Sequence, residues 1–313
     1  MATILITHGI PAAGFAALSG HTLIMPEPLA AYSMEELKAL IAEADAVVAG
    51  GKLPGDVIRA GRKLRIIANY GAGYDGVDVR AAAECGVPVT NIPDTVTAST
   101  AELAIALMLA VSRRIGEMTL RLRSEPSETL FGMGRHMGRC LRGQTLGVVG
   151  FGRIGKETAR LARALGMRVL GYSRSGADAS LCEPVDLPTL LRESDVVSLH
   201  CPLTAESRGL IGREAFALMK PGVILINTAR GAVVDTGALL EALDAGKLSG
   251  AGLDVFPEEP RIPDGLLVHP CVVCTPHVGT NTVQTRDEMA AACAAQILDT
   301  LAGKRPQNIV NGL

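Results

Sequence analysis

Three glycines spaced as G-x-G-x-x-G, Gly150, Gly152 and Gly155, stand between a short apolar run, Leu146 to Val149, and a helical pattern, Lys156 to Gly166. Strand, glycines and helix in that order suit a dinucleotide. Gly150 permits the tight turn, Gly152 leaves room for a pyrophosphate, and Gly155 lets the helix pack close to the strand. The helix N-terminus then offers unpaired N–H groups to the phosphates. A second strand, Met167 to Tyr172, follows at βαβ distance. At its end, about 20 residues past the glycines, an acidic residue normally takes the adenosine ribose hydroxyls. Tyr172-Ser173-Arg174-Ser175 stands there instead. The carboxylate is gone and a bidentate donor is supplied, which favours NADP and leaves NAD possible.

Polar residues recur where later strands end. Asn227-Thr228-Ala229-Arg230-Gly231 follows the strand Val223 to Asn227. Asp254-Val255-Phe256-Pro257-Glu258-Glu259-Pro260 follows Ala251 to Val255, and Thr275-Pro276-His277-Val278-Gly279-Thr280 follows Cys271 to Thr275. All three fragments open at the carboxyl edge that receives the phosphates and nicotinamide. That edge would carry Arg230, Asp254, Glu259 and His277.

The elements that must position these residues form two α/β sets. In the first, strands Ile4 to Thr7, Leu23 to Met25, Ala46 to Ala49, Leu64 to Asn69 and Pro88 to Thr90 alternate with helices Met34 to Ala42, Pro54 to Ala60 and Val77 to Cys85. The alternation implies a parallel sheet with helices on both faces. Gly71-Ala72-Gly73 follows the fourth strand at the ligand-binding edge. From Ala98 to about Leu122 a single long helix is expected, nearly apolar all round in its first half and so buried between layers or at a subunit contact. Ser124 to Gly143 breaks periodicity and reads as a loop between the halves or across a partner subunit. Strand Asp195 to Leu199 and helices Leu187 to Leu191, Arg213 to Leu218 and Gly237 to Ala245 complete the second set. A final helix, Thr282 to Leu301, returns to the first. The expected architecture is α/β, two doubly wound parallel-sheet, Rossmann-like domains with a cleft between them. Residues 1–97 plus 283–313 form a flavodoxin-like substrate domain, and residues 98–282 form the dinucleotide-binding domain.

A chain of 313 residues suits two domains, and 48% hydrophobic with 20% charged residues gives ample core. Lys and Arg number 30 against 32 Asp and Glu, so the net charge of −2 points to no nucleic-acid or membrane partner. No apolar run spans a bilayer and no secretory signal is visible, so a cytoplasmic protein is expected. The seven cysteines are scattered. Cys271 and Cys274 lie inside a strand-like run near His277, with no second ligand pair, so no metal is expected.

Five fragments in this order and spacing resemble the D-isomer-specific 2-hydroxyacid dehydrogenases: Gly71-Ala72-Gly73-Tyr74-Asp75, Gly150 to Gly155, Asn227 to Gly231, Asp254-Val255-Phe256 with Glu259-Pro260, and Thr275 to Gly279. The resemblance covers nearly the whole chain and looks strongest to the glyoxylate/hydroxypyruvate reductases. It implies reduction of a small 2-oxo acid to a D-2-hydroxy acid, for which the Tyr172–Ser175 segment favours NADPH. His277 would be the acid, Glu259 would orient it and favour imidazolium, and Arg230 would fork onto the substrate carboxylate and carbonyl oxygen. Gly71, Ala72 and Gly73 would take the remaining carboxylate oxygen, through the N–H groups of Ala72 and Gly73. The resemblance implies that Asp254 accepts from the nicotinamide carboxamide and that Arg153 and Ile154 meet the pyrophosphate. Cys201 and Pro202 would lie on the adenosine side, and Ser173, Arg174, Ser175, Thr228, Ala229 and Gly279 would complete the cofactor contacts. A homodimer is expected.

Two features depart from the family pattern. The family often carries tryptophans in the stretch preceding the dinucleotide motif. This chain has none, and Phe131 and Met133 stand in that region. It also ends at Leu313 without the regulatory domain of long phosphoglycerate dehydrogenases, which lowers that reading. Formate dehydrogenase, which pairs its histidine with glutamine, is disfavoured by Glu259. An NAD-dependent dehydrogenase of another D-2-hydroxy acid and a non-catalytic nucleotide-sensing binding protein are the alternatives.

Overall fold

The apolar runs of the first unit pair as parallel strands β1 (Thr3–Ile6), β2 (Thr22–Ile24), β3 (Ala46–Ala49), β4 (Ile66–Asn69) and β5 (Val89–Thr90), in the order β2-β1-β3-β4-β5. The computed structural model describes residues 1–313 and divides into two compact units, Met1–Val96 with Thr280–Leu313, and Thr97–Gly279. In the first unit β3 and β4 are buried along their whole length, as crossover helices on both faces require. Helix Met34–Ile41 starts at a capping box in which the Ser33 hydroxyl accepts from the Glu36 N–H and the Glu36 carboxylate accepts from the Ser33 N–H. It turns Leu37 and Ile41 onto a core with Val47, Val57 and Ile67. The C-terminal helix, Val283–Leu301, belongs to this unit. Its Gln296, 7% exposed, accepts from Thr90 Oγ1 at 2.7 Å and donates to the Asn91 carbonyl at 2.9 Å.

The second unit holds seven parallel strands: β6 (Thr145–Val149), β7 (Arg168–Tyr172), β8 (Glu183–Pro184), β9 (Val196–Leu199), β10 (Val223–Asn227), β11 (Leu248–Leu253) and β12 (Val272–Cys274). Their order is β12-β11-β10-β9-β6-β7-β8, so the winding reverses between β6 and β9. Alternate residues supply two cores. Val149, Leu199 and Leu225 join Phe216 and Leu239 on one face, while Leu146, Val148, Ile224 and Ile226 join Met108 on the other. No helix of either unit is long and apolar enough to cross a membrane.

The single helix expected from Ala98 to Leu122 is two helices, Thr97–Ser112 and Ile115–Ser124. Arg114, with φ of 55°, takes a left-handed conformation between them, and its N–H bonds the Val111 carbonyl three residues back. Its guanidinium grips the Glu117 carboxylate at 2.7 and 2.6 Å, fixing the new start. Neither Arg113 nor Arg114 is a glycine or proline, and Gly116 falls inside the second helix, so periodicity runs through the break. The first helix buries Ala101, Ala104, Leu107 and Met108, whereas the second buries nothing. Strand β8, helix Asp264–Val268 and the 3-10 turn Ala13–Leu18 are too short to register as periodic patterns. The unit boundaries fall at Val96/Thr97 and Gly279/Thr280, one and three residues before those expected. Helix Thr97–Ser112 supplies the first boundary. Hydrogen bonds from Val278 and Gly279 to Asp254 tie the chain to the second unit up to the other.

Gln296→Leu should cost about 1–3 kcal/mol, because it strands the Thr90 hydroxyl and the Asn91 carbonyl in a buried site. Urea unfolding of the variant checks this. An unchanged midpoint would show that the bridge contributes nothing.

Candidate active site

At the end of β6, Gly150 adopts φ of 95°, open to glycine and strained for other residues. A Cβ there would collide with the backbone of His200 and Cys201, the residues that follow β9. A Cβ on Gly155 would collide with the Gly150 carbonyl, so the helix Arg153–Ala164 approaches the turn only because that side chain is missing. Gly152 is different. It precedes the helix, carries no capping side chain, and has open space where a Cβ would stand. Two polar atoms along this carboxyl edge are buried without protein partners, Thr228 Oγ1 after β10 and His200 Nδ1 after β9. Ser198 Oγ lies 2.8 Å from His200 Nε2, and burial lowers the His200 pKa to about 4, which keeps it neutral. An open space before a helix N-terminus, on a sheet edge that also carries two partnerless polar atoms, fits a dinucleotide phosphate.

Beyond β7, the Ser173 and Ser175 hydroxyls lie 3.1 Å apart. Between them Arg174 reaches Glu206, its Nη1 3.4 Å from Oε2. Glu206 also accepts from Thr204 Oγ1 at 2.7 Å, and that bond with its own backbone N–H holds the carboxyl below its ordinary range. Sequence spacing offers no sign of this partner, which lies 32 residues along the chain from Arg174. Cys201 follows on the same edge, its thiol pKa raised by burial, and the Pro202 carbonyl accepts from Ser207 Oγ at 2.7 Å.

Arg230, Asp254, Glu259 and His277 are brought together by three loops of one sheet edge. Asn227, the last residue of β10, shapes the first loop. Its side-chain oxygen accepts from the Ala229 N–H at 3.0 Å and its amide donates to the Arg230 carbonyl at 3.0 Å. A Cβ on Gly231 would collide with Phe256, so the Arg230 loop sits directly against the loop that carries Glu259. Asp254, 1% exposed, anchors the third loop. One oxygen accepts from Thr275 Oγ1 at 2.6 Å and the Val278 N–H at 2.8 Å, and the other from the Gly279 N–H at 2.9 Å. The Asp254 carbonyl takes the His277 N–H at 2.8 Å. So held, His277 adopts a left-handed φ of 54° and sets Nδ1 2.6 Å from Glu259 Oε2. The other Glu259 oxygen accepts from the Phe256 N–H at 2.9 Å. Burial pushes the Glu259 carboxyl upward, but the bonds from His277 and Phe256 and the charges of His277 and Arg230 outweigh it, so the pKa is lowered. The imidazole keeps Nε2 clear of protein partners.

On the first unit, the Gly71–Gly73 turn follows β4. Its carbonyls are all taken: the Asn69 amide donates to Gly71 at 2.9 Å and Gly73 at 3.0 Å, and the Asn91 amide to Ala72 at 2.8 Å. Turned this way, the Ala72 and Gly73 N–H groups have no protein acceptor. Asn69, Asn91 and Asn227 were readable only as polar residues at strand ends, and the loops that they shape appear only in three dimensions.

Residues 105–279 match the family model described as D-isomer specific 2-hydroxyacid dehydrogenase, NAD binding domain. The chain is 45% identical over 280 residues to a glyoxylate reductase of Thermococcus litoralis, covering 87% of this chain and 85% of that one. It is 42% identical to a hydroxypyruvate reductase of Thermotoga maritima, covering 85% and 88%. Among solved structures it resembles an NADPH-dependent glyoxylate/hydroxypyruvate reductase from Sinorhizobium meliloti in complex with NADP and malonate. The TM-score is 0.89 and the identity 30%, with 99% of this chain and 96% of that one covered. The glycine turn at a Rossmann switch point, the buried aspartate and the carboxylate-held histidine are thus borne by a chain that belongs to the D-isomer-specific 2-hydroxyacid dehydrogenases, a family of oxidoreductases.

Proposed function

We propose that this protein reduces small 2-oxo acids, glyoxylate and hydroxypyruvate among them, to D-2-hydroxy acids with NADPH favoured, and that His277 is the acid. The observation that carries the reading is the 2.6 Å contact of His277 Nδ1 with a Glu259 carboxylate that also feels the charge of Arg230. The names of the relatives from Thermococcus litoralis and Thermotoga maritima support the substrate class. A bound reduced nicotinamide supplies the hydride. Gly150, Gly152, Arg153, Ile154 and Gly155 would hold its pyrophosphate, with Thr228, Ala229 and Gly279 along the same edge, and Asp254 would accept from its carboxamide. Arg230 takes the substrate carboxylate and polarises the carbonyl, and the N–H groups of Ala72 and Gly73 hold the remaining carboxylate oxygen. His277 gives its Nε2 proton to the carbonyl oxygen, while Glu259 fixes the ring and stabilises the imidazolium.

Arg174 supports NADP, since a guanidinium between two serines suits a 2′-phosphate. Its pairing with Glu206 favours a second reading in which NADH is also accepted, because a 2′-phosphate must draw Arg174 away from that carboxylate. Exposed Ile115, Leu120, Leu122, Phe131 and Met133 support a second copy of this chain as partner.

His277→Ala should lower kcat/KM by about 10²–10⁴-fold, the span of a general acid, and Arg230→Ala by about a hundredfold or more. Loss of reduced-nicotinamide absorbance with glyoxylate measures both. Full activity in His277→Ala would remove the acid assignment. Because folding lowers the Glu259 pKa, the ionised carboxylate stabilises the fold fully above its ordinary value of 4.5, and that contribution is lost as the pH falls through the folded value. The stability gap between wild type and Glu259→Gln should therefore shrink below pH 4.5, as urea midpoints would report. Arg174→Ala should weaken NADPH binding and spare NADH, whereas Glu206→Gln should strengthen NADPH binding by about two- to fivefold, the range of an exposed ion pair. Calorimetric titration with both nucleotides tests this, and an NADPH preference untouched by Arg174→Ala would rule out the 2′-phosphate role.

A further inference from the structure

The strand order of the first unit turns back between β1 and β3. The crevice at the carboxyl ends of two such strands is where an open parallel sheet takes ligands. Thr7 and His8 follow β1 there, and Gly50 and Gly51 follow β3. Thr7 is buried, and its Oγ1 accepts from the Gly50 N–H at 2.9 Å and lies 2.8 Å from His8 Nδ1. Either atom can donate in that pair, and in one tautomer the Thr7 hydroxyl donates to Nδ1. Once Nδ1 accepts, the ring proton of a neutral imidazole must sit on Nε2. Burial lowers the His8 pKa, which favours the neutral ring.

The ring lies over the two glycines. A Cβ on Gly51 would sit 2.8 Å from Cε1 and 3.1 Å from Nε2, and one on Gly50 would sit 3.1 Å from Nδ1. Side chains at those positions would displace it. His8 therefore leans onto the turn that follows β3, the strand that lies between β1 and β4. Two interstrand spacings, about 10 Å, separate β1 from β4, and the imidazole arm spans about half of that. What remains, about 5 Å, matches the span from the carboxylate of a 2-oxo acid to an oxygen on its third or fourth carbon. The carboxylate end of that span is the Ala72–Gly73 turn after β4, with its two unpaired N–H groups.

We propose that His8 reads the far end of the substrate: Nε2–H donates to an oxygen carried beyond C2, which selects 2-oxo acids with a distal hydroxyl or carboxylate over those ending in hydrogen or alkyl. The assignment rests on the 2-oxo acid reading above and goes beyond it by naming what separates one acid from another. Neither His8 nor Thr7 belongs to the proton-transfer or cofactor groups.

The test compares hydroxypyruvate with 2-oxobutyrate, which carries a methyl in place of the hydroxyl, and with glyoxylate, which has no third carbon. In His8→Phe the hydroxypyruvate to 2-oxobutyrate ratio of kcat/KM should fall about tenfold, the worth of one hydrogen bond to a substrate hydroxyl, with glyoxylate turnover within twofold of wild type. His8→Gln, which keeps a donor of similar reach, should restore most of the ratio. The Kd for malonate, read by calorimetry, should rise in His8→Phe and recover in His8→Gln. An unchanged ratio in a His8→Phe enzyme that still reduces glyoxylate overturns the His8 assignment alone. Loss of glyoxylate turnover in both variants also overturns it, by showing a structural part for the ring. Failure of the wild type to reduce any of the three acids overturns the 2-oxo acid reading and this assignment with it.

Discussion

A buried aspartate holds the site in shape. Asp254 is nearly inaccessible to water, and a carboxylate so placed is costly unless its oxygens are hydrogen-bonded. Three bonds meet the need, from Thr275 Oγ1 and from the N–H groups of Val278 and Gly279, and all three come from the loop that carries His277. Satisfying the charge and fixing the loop are therefore one event. The loop pays with a left-handed His277, a conformation uncommon for a residue with a Cβ. The aspartate bonds on either side of it keep that backbone from relaxing, and the imidazole is delivered to Glu259 as a consequence.

The same economy recurs at the ends of other strands. Asn227 closes β10 and bonds both directions of the turn that carries Arg230. Asn69 closes β4 and ties down two carbonyls of the Gly71–Gly73 turn, with Asn91 taking the third. A short amide side chain at a strand end can reach its own following turn, which is why asparagine suits such positions. In each case the chain's polar groups are aimed by satisfying their opposite numbers: carbonyls held on one side leave N–H groups presented on the other. Gly150, Gly155 and Gly231 do the complementary work by letting one loop approach another where any Cβ would intrude.

What could be read in the residues alone follows from this. The dinucleotide turn was legible because strand, glycines and helix are contiguous and each glycine has a local steric reason. The parallel sheets were legible because strands buried on both faces are apolar over most of their length. Arg174 could be placed at the end of β7, but not its tie to Glu206, because the loop that brings Glu206 round is fixed by Thr204 and Ser207 rather than by any periodic pattern. The break at Arg114 escaped for the opposite reason, since two arginines are good helix formers and the left-handed residue is held by a side-chain pair with Glu117. The pairing of Asp254 with Val278 and Gly279 joins positions more than 20 residues apart and leaves no trace in spacing.

Glu259 carries the chemical argument furthest. Its side chain is one-third exposed, and desolvation alone would still push it toward the neutral acid, yet hydrogen bonds from His277 and the Phe256 N–H, with the charges of His277 and Arg230, keep its pKa low. A neutral amide could hold the same ring by the same atom, but it would offer an imidazolium no compensation. A site that moved only a hydride would gain little from a charge maintained against burial. A site that must also move a proton gains from a carboxylate that holds the ring in a fixed orientation. The observed bond, set beside an arginine suited to a carboxylate, is thus better matched to reducing a carbonyl than to oxidising a substrate that gives up hydride alone.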